Sequence, residues 1–359
     1  MPAIAPALRT EYGLDLPGLG LLLAAGGLGL TVALLPWGLV TDRIGERRAL
    51  GLGLGLSGAF IGLAAFADGA VAAGALFAAS GAAGASVQSA SGRAVMQWFS
   101  PAERGLAFGI RQTAIPLGGV VGALTLPALA DAGGVDLAFA FLGAFCVATA
   151  LVGVLVVREL PSDGVQPQDV PWTLRDVRLW LLSGGSSLYV AAQIALFTFL
   201  VLFLHDERGY STKGAAAVFA VAHVLAIASR IGAGRWSDVV RSRIGPLRVI
   251  GLATFVTLAA SALLLDARTA VVVPLLVAAT ALSASWNGLS FVAAAELAGT
   301  GRSGAAIGFQ QTALAVTCVV MPPLFASLVD ASSWRSAFLL FALFPLAGWA
   351  MLAPLRERV

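Results

Sequence analysis

The sequence predicts an all-α polytopic membrane protein, and three observations predict it: scarce charge, long apolar runs and arginines gathered on one side. Of 359 residues, 58% are hydrophobic and 11% charged, with a mean hydropathy of +0.90. Soluble domains carry about 25% charged residues, so this chain has too few to clothe a surface in water. The apolar runs are unbroken rather than alternating, which selects helices over a barrel. The net charge of +3 comes from arginines at helix ends, with no separate basic cluster of the kind that binds nucleic acid. Cys146 and Cys318 each lie inside an apolar run, so neither a disulfide framework nor a thiol–metal site is expected. The first residues lack the basic region of a signal peptide.

Crossing a bilayer takes roughly 20 apolar residues. Runs of about that length fall at 17–40, 49–66, 70–99, 105–130, 137–157, 179–204, 214–236, 247–265, 270–297, 303–329 and 334–352. The polar stretch 158–176, with Pro161, Pro167 and Pro171, is the one long interruption and reads as a linker. The expected organisation is a helical bundle over 1–158, a cytoplasmic linker over 159–177 and a six-helix bundle over 178–359.

Loop charges set the orientation. If the turn around Asp42 faces the cytoplasm, alternation of the loops puts Arg9, Arg208, Lys213, Arg268 and Arg335 on the far side and leaves Arg111 inside a helix. The other sixteen of the 22 Lys and Arg residues then face the cytoplasm. This is the positive-inside bias, and it places the linker and the C-terminus in the cytoplasm of an inner (plasma) membrane protein.

The two halves repeat each other. Gly109-Ile-Arg-Gln112-Thr-Ala114 recurs as Gly308-Phe-Gln-Gln311-Thr-Ala313, 199 residues later, and Gly105, Asp131 and Phe139 meet Gly304, Asp330 and Phe338 at the same offset. At an offset of 196, Gly38 and Asp42 meet Gly234 and Asp238. Both copies run in the same direction, as in transporters whose halves are related by an axis normal to the membrane. Met1 aligns with Phe197, in the middle of the run 179–204, so the first helix is expected only as its outer end, near 1–8, either because the start codon is assigned too late or by natural truncation.

Gly38-Leu-Val-Thr-Asp42-Arg43-Ile-Gly45-Glu-Arg47-Arg48 matches G-x-x-x-D-R-x-G-x-R-R at all seven fixed positions. This resembles the signature loop between the second and third helices of the major facilitator superfamily of secondary transporters. The resemblance implies two pseudo-symmetric bundles around a central cavity that opens alternately to either face. It also implies that helices one, four, seven and ten line the cavity, and that Gly38, Asp42, Arg43, Gly45, Arg47, Arg48, Gly234 and Asp238 form a cytoplasmic gate. A carboxylate such as Asp42 would be stabilised near the amino end of the helix beginning around Ser303. The second copy, around Asp238, has no arginine directly after it. Pro116-Leu-Gly118-Gly119 only partly resembles the family's antiporter motif, so close helix packing and a bend are expected there.

Polar groups inside the spans are the candidate solute contacts, because lipid penalises them. Gln88 and Asn287 occupy matching repeat positions, Asn287 beside Trp286, while Tyr189 and Gln193 share one helix face. Such amides also commonly bond neighbouring helices, and Gln112 and Gln311, recurring in both halves, are expected to pair structurally. Arg111 has no carboxylate at helical spacing and suits an anionic solute held bidentately; its long stem could equally carry the charge to the interface. Arg93 and Arg230 are expected to snorkel to that interface. His223 is the one histidine inside a span, a possible proton carrier.

These features predict a transporter of a small organic solute, anionic or neutral polar, working as a monomer in the lipid bilayer with a coupling ion such as H⁺. Multidrug efflux is the rival reading. An enzyme is not expected, for want of a nucleophile with its base or of clustered metal ligands, and neither is a sensor without a soluble domain. No cofactor, metal or phosphate-binding loop is expected.

Overall fold

The computed structural model describes residues 4–158 and 175–355. Within them the chain is helical throughout: α1 (Ala5–Glu11), α2 (Leu16–Ile44), α3 (Glu46–Leu63), α4 (Ala70–Gly84), α5 (Ser86–Trp98), α6 (Arg104–Arg111), α7 (Ala114–Val156), α8 (Val177–Asp206), α9 (Thr212–Val239), α10 (Ile244–Leu263), α11 (Thr269–Ser283), α12 (Asn287–Ala298), α13 (Ser303–Ala331) and α14 (Trp334–Met351). Residues 159–174 of the expected linker lie outside the described residues.

Ten described helical segments are long and apolar enough to cross a membrane, which makes this a multi-pass membrane protein. One of them, Leu117–Val156, has 40 residues. At 1.5 Å per residue that is twice a bilayer's thickness. The segment leaves helical geometry at Gly133 and Gly134, where Gly134 takes φ 72°. Such a φ is open to glycine and closed to most L residues, so the chain folds back there into two arms. The ten segments therefore make the eleven crossings the apolar runs predict.

Three expected spans are interrupted. The run 70–99 breaks at Ala85 between α4 and α5, and 270–297 breaks over 284–286 between α11 and α12. Ala85 and Ala284 stand 199 positions apart, so the two breaks occupy equivalent repeat positions. The run 105–130 breaks at Gln112 and Thr113 between α6 and α7.

The chain forms two compact units: residues 1–98, 114–173 and 298–312 make one, and 99–113, 174–297 and 313–359 make the other. Each unit therefore borrows a 15-residue segment from the opposite half of the sequence, and these two segments are themselves 199 positions apart. In the first unit Ile4, just before α1, and Leu8 of α1 are buried with Leu22, Phe77 and Phe139, the two phenylalanine rings meeting edge to face at 5.2 Å. In the second unit Phe203, Phe325, Phe338 and Phe341 form an aromatic core between α8, α13 and α14.

Candidate functional site

Each unit contains one clasp built on an aspartate. In the first, the Asp42 carboxylate near the end of α2 accepts hydrogen bonds from the backbone N–H groups of Gly304 (2.9 Å) and Ala305 (2.7 Å) in the first turn of α13. The first N–H groups of a helix have no intrahelical partner and carry the positive end of its dipole, so a carboxylate fits there. Arg93 of α5 completes the clasp: its Nη1 donates to Asp42 at 3.0 Å and its Nε to Glu46 at 3.2 Å. Gly38 allows the approach, since a Cβ built there would lie 2.5 Å from the Gly304 carbonyl oxygen. Gly45 ends α2 with φ 85°, and Arg43, Arg47 and Arg48 around it are exposed.

The second unit repeats the arrangement. Asp238 accepts from the N–H groups of Gly105 (2.9 Å) and Leu106 (2.8 Å), in the first turn of α6. A Cβ on Gly234 would lie 2.2 Å from the Gly105 carbonyl oxygen. The partners Gly105 and Leu106 are the repeat equivalents of Gly304 and Ala305. The arginine comes from another place: Arg243, just after α9, donates to Asp238 at 2.6 Å, to Ser237 Oγ at 2.9 Å and to Glu296 at 3.3 Å. Burial opposes its charge, but Glu296 and Asp238 outweigh that and hold its pKa above the ordinary arginine value. Arg243 follows Asp238 by five residues, whereas the first clasp draws Arg93 from α5.

Arg93 and Arg230 do not snorkel. Both are 8% exposed. Arg230 Nε donates to the Ala284 carbonyl at 2.9 Å and its Nη1 to the Gln112 carbonyl at 3.1 Å. Those two carbonyls belong to the breaks between α11 and α12 and between α6 and α7. A broken helix leaves carbonyls without their usual donors, and leaving them unmet in an apolar interior is costly. Arg230 answers both, and its side chain turns inward for that reason.

The amides divide by unit. In the first, Gln311 Nε2 donates to Gln88 Oε1 at 3.1 Å. Gln112, the repeat equivalent of Gln311, takes Arg111 on its side chain at 2.8 Å. In the second unit Gln193 Oε1, Asn287 Oδ1, Trp286 Nε1 and the Tyr189 hydroxyl are buried and have no hydrogen-bond partner among the described residues. Gln193, Trp286 and Tyr189 are 8%, 1% and 2% exposed. The Tyr189 and Trp286 rings meet edge to face with centroids 6.0 Å apart. Tyr189 fills a slot between α10 and α14, where a Cβ on Gly251 would lie 2.2 Å from its hydroxyl and one on Gly348 2.7 Å from its ring. The guanidinium of Arg111 lies 5.5 Å from the centroid of Phe108. His223 Nδ1 is 3.1 Å from the Phe219 carbonyl, which assigns that nitrogen its proton, and the ring centroids of Phe219 and Phe197 lie 4.0 and 4.6 Å from the imidazole. Sequence reasoning missed Glu46, Arg93, Arg230, Arg243 and Glu296 as members of these networks; the charge of each was visible, its distant partner was not.

Comparison with known proteins completes the picture. The family model described as Major Facilitator Superfamily matches residues 1–320. An uncharacterized MFS-type transporter of Mycobacterium tuberculosis is 34% identical over 357 residues, covering 98% of this chain and 80% of the relative. The probable sulfoacetate transporter SauU of Cupriavidus necator is 25% identical over 360 residues, covering 91% and 82%. Among solved structures, that of the transporter FucP in the outward conformation superposes with a TM-score of 0.80 at 16% identity, covering 99% of this chain and 94% of FucP.

Proposed function

Because the chain belongs to the Major Facilitator Superfamily, we propose that this transmembrane transporter carries a small anionic or neutral polar organic solute by alternating access. One observation carries the reading of the site: Gln193, Trp286 and Asn287 present buried acceptors and a donor that the described residues leave unmet. An unmet buried polar atom costs about 1–3 kcal/mol. A solute bearing hydroxyl, amide or carboxylate groups, or water in its absence, would supply the partners. In the first unit Gln88, the repeat equivalent of Asn287, is the candidate contact once its bond to Gln311 opens. Tyr189 supports Trp286 from its slot and leaves the solute to the other three.

The Asp42 and Asp238 clasps form the gate, since each binds a helix from one half of the sequence to the first turn of a helix from the other. Both sit at the arginine-rich ends of the helices, which supports a cytoplasmic gate, linker and C-terminus in an inner membrane. The bundles are the two sequence halves, and the working unit is a monomer. Arg111 selects for negative charge; the likeness to a probable sulfoacetate transporter supports an anion. His223, with one nitrogen held by Phe219, keeps the other for a coupling proton.

Purified protein in liposomes tests this. Uptake of small carboxylates and sulfonates is expected, reduced at least about tenfold by Gln193→Ala or Asn287→Ala, each losing a hydrogen bond to solute. Arg111→Ala is expected to abolish anion uptake. Anion uptake untouched by all three substitutions would refute the site and its charge preference together.

A further inference from the structure

A second polar site is lined by none of the proposed solute contacts. A cavity of about 670 Å³ opens in the second unit beside its clasp. Arg104, Arg178, Arg241, Arg243, Asp238 and Glu296 line it, and Ile244, Leu297 and Leu355 form an apolar wall.

Three of the four arginines meet a carboxylate. Arg243 holds Asp238 and Glu296, Arg104 stands 3.6 Å from Glu296, and Arg178 clamps Asp176 at 2.8 Å. Arg241 has no ion pair among the described residues. It also carries the one positive φ of any described non-glycine residue, 50°. The backbone explains where it stands. Its N–H bonds to the Asp238 carbonyl and that of Ser242 to the Ser237 carbonyl, closing α9 in the turn that normally takes glycine at this position. An arginine here occupies a conformation that glycine would adopt more easily, and it places an unbalanced cation on the cavity.

We propose that this cavity binds a phosphate-type anion, recognised by Arg241 together with Arg104 and Arg178, and that the bound anion stabilises the Asp238 clasp. Arginine suits this role because its fork of N–H groups matches phosphate oxygens. The shared chemistry belongs to two sources, the headgroup of an anionic phospholipid and a free phosphate. The apolar wall would receive the glycerol end of a lipid, and basic pockets between membrane helices take such headgroups.

The test uses the full chain, as wild type and as Arg241→Gly. Glycine fits the turn, so this variant is expected to fold and to unfold at the same or a higher temperature when no anion is present. Thermal unfolding is followed with inorganic phosphate against chloride at matched ionic strength. It is then followed in nanodiscs of phosphatidylcholine with or without phosphatidylglycerol. The wild type is expected to unfold at a higher temperature with at least one probe, at an apparent affinity about tenfold tighter than that of Arg241→Gly. A response confined to phosphatidylglycerol assigns the site to lipid, and a response to inorganic phosphate assigns it to a free anion. Equal responses of the two proteins, or no response of the wild type to either probe, overturn the proposal.

Discussion

At the scale of single residues, the two units treat equivalent positions differently. Gln88 and Asn287 stand 199 positions apart in the repeat, yet Gln88 is bonded to Gln311 whereas Asn287 Oδ1 is unmet. Truncating them should therefore have opposite signatures. Gln88→Ala strands the Gln311 amide and is expected to cost about 1–2 kcal/mol of stability. Asn287→Ala removes an acceptor that none of the described residues satisfies, and should leave the unfolding temperature unchanged or raise it while cutting transport. Thermal unfolding of the purified variants, set beside their uptake rates, checks both. A large loss of stability in Asn287→Ala would mean that a protein group meets that oxygen after all. The choice of polar residues can be read from one sequence because lipid makes such groups conspicuous. Whether each is satisfied cannot, since that depends on which atom another helix brings within hydrogen-bonding reach.

At the scale of elements, the clasps are close helix approaches before they are charge pairs. A side chain on Gly38 would strike the Gly304 carbonyl and one on Gly234 the Gly105 carbonyl, at 2.5 and 2.2 Å. Both obstacles are backbone atoms, which cannot swing aside as a side chain would. Gly38→Ala and Gly234→Ala are each expected to push a helix off its neighbour, weaken the hydrogen bonds to Asp42 or Asp238, and cost about 1–3 kcal/mol. The two losses should add, because the clasps share no residue. The double variant's unfolding temperature measures this, and a loss no greater than that of one single variant would deny that the clasps are independent. The glycine–aspartate spacing and its recurrence in the second half make these elements legible in the amino-acid sequence itself. The breaks at Ala85 and over 284–286 are not legible there: the surrounding stretches are as apolar as their neighbours and no proline stands at either break. What holds the second break open, Arg230 on the Ala284 carbonyl, comes from a residue 54 positions away. Helical periodicity along one segment contains no trace of such a partner.

At the scale of the whole molecule, topology is fixed by counting. Between the Asp42 and Asp238 turns the described helices supply six crossings: α3, α4 with α5, the two arms of α7, α8 and α9. An even number returns the chain to the face it left, so both turns should lie on one side of the membrane. Asp131, at the fold between the arms of α7, and Glu207, after α8, should lie on the other. Arginine is concentrated on the Asp42 side, and the function proposed above takes that side as the cytoplasmic one. The two cysteines, Cys146 and Cys318, both sit within spans. Replacing them with serine gives a background for labelling single cysteines, because Arg47, Arg241, Asp131 and Glu207 are all exposed. In intact cells an impermeant maleimide is expected to label Asp131→Cys and Glu207→Cys, and to reach Arg47→Cys and Arg241→Cys only after the membrane is opened. Labelling of Arg47→Cys and Arg241→Cys from opposite faces would require an odd number of crossings between them. The parallel repeat would then fail, and with it the reading of the two clasps as one gate.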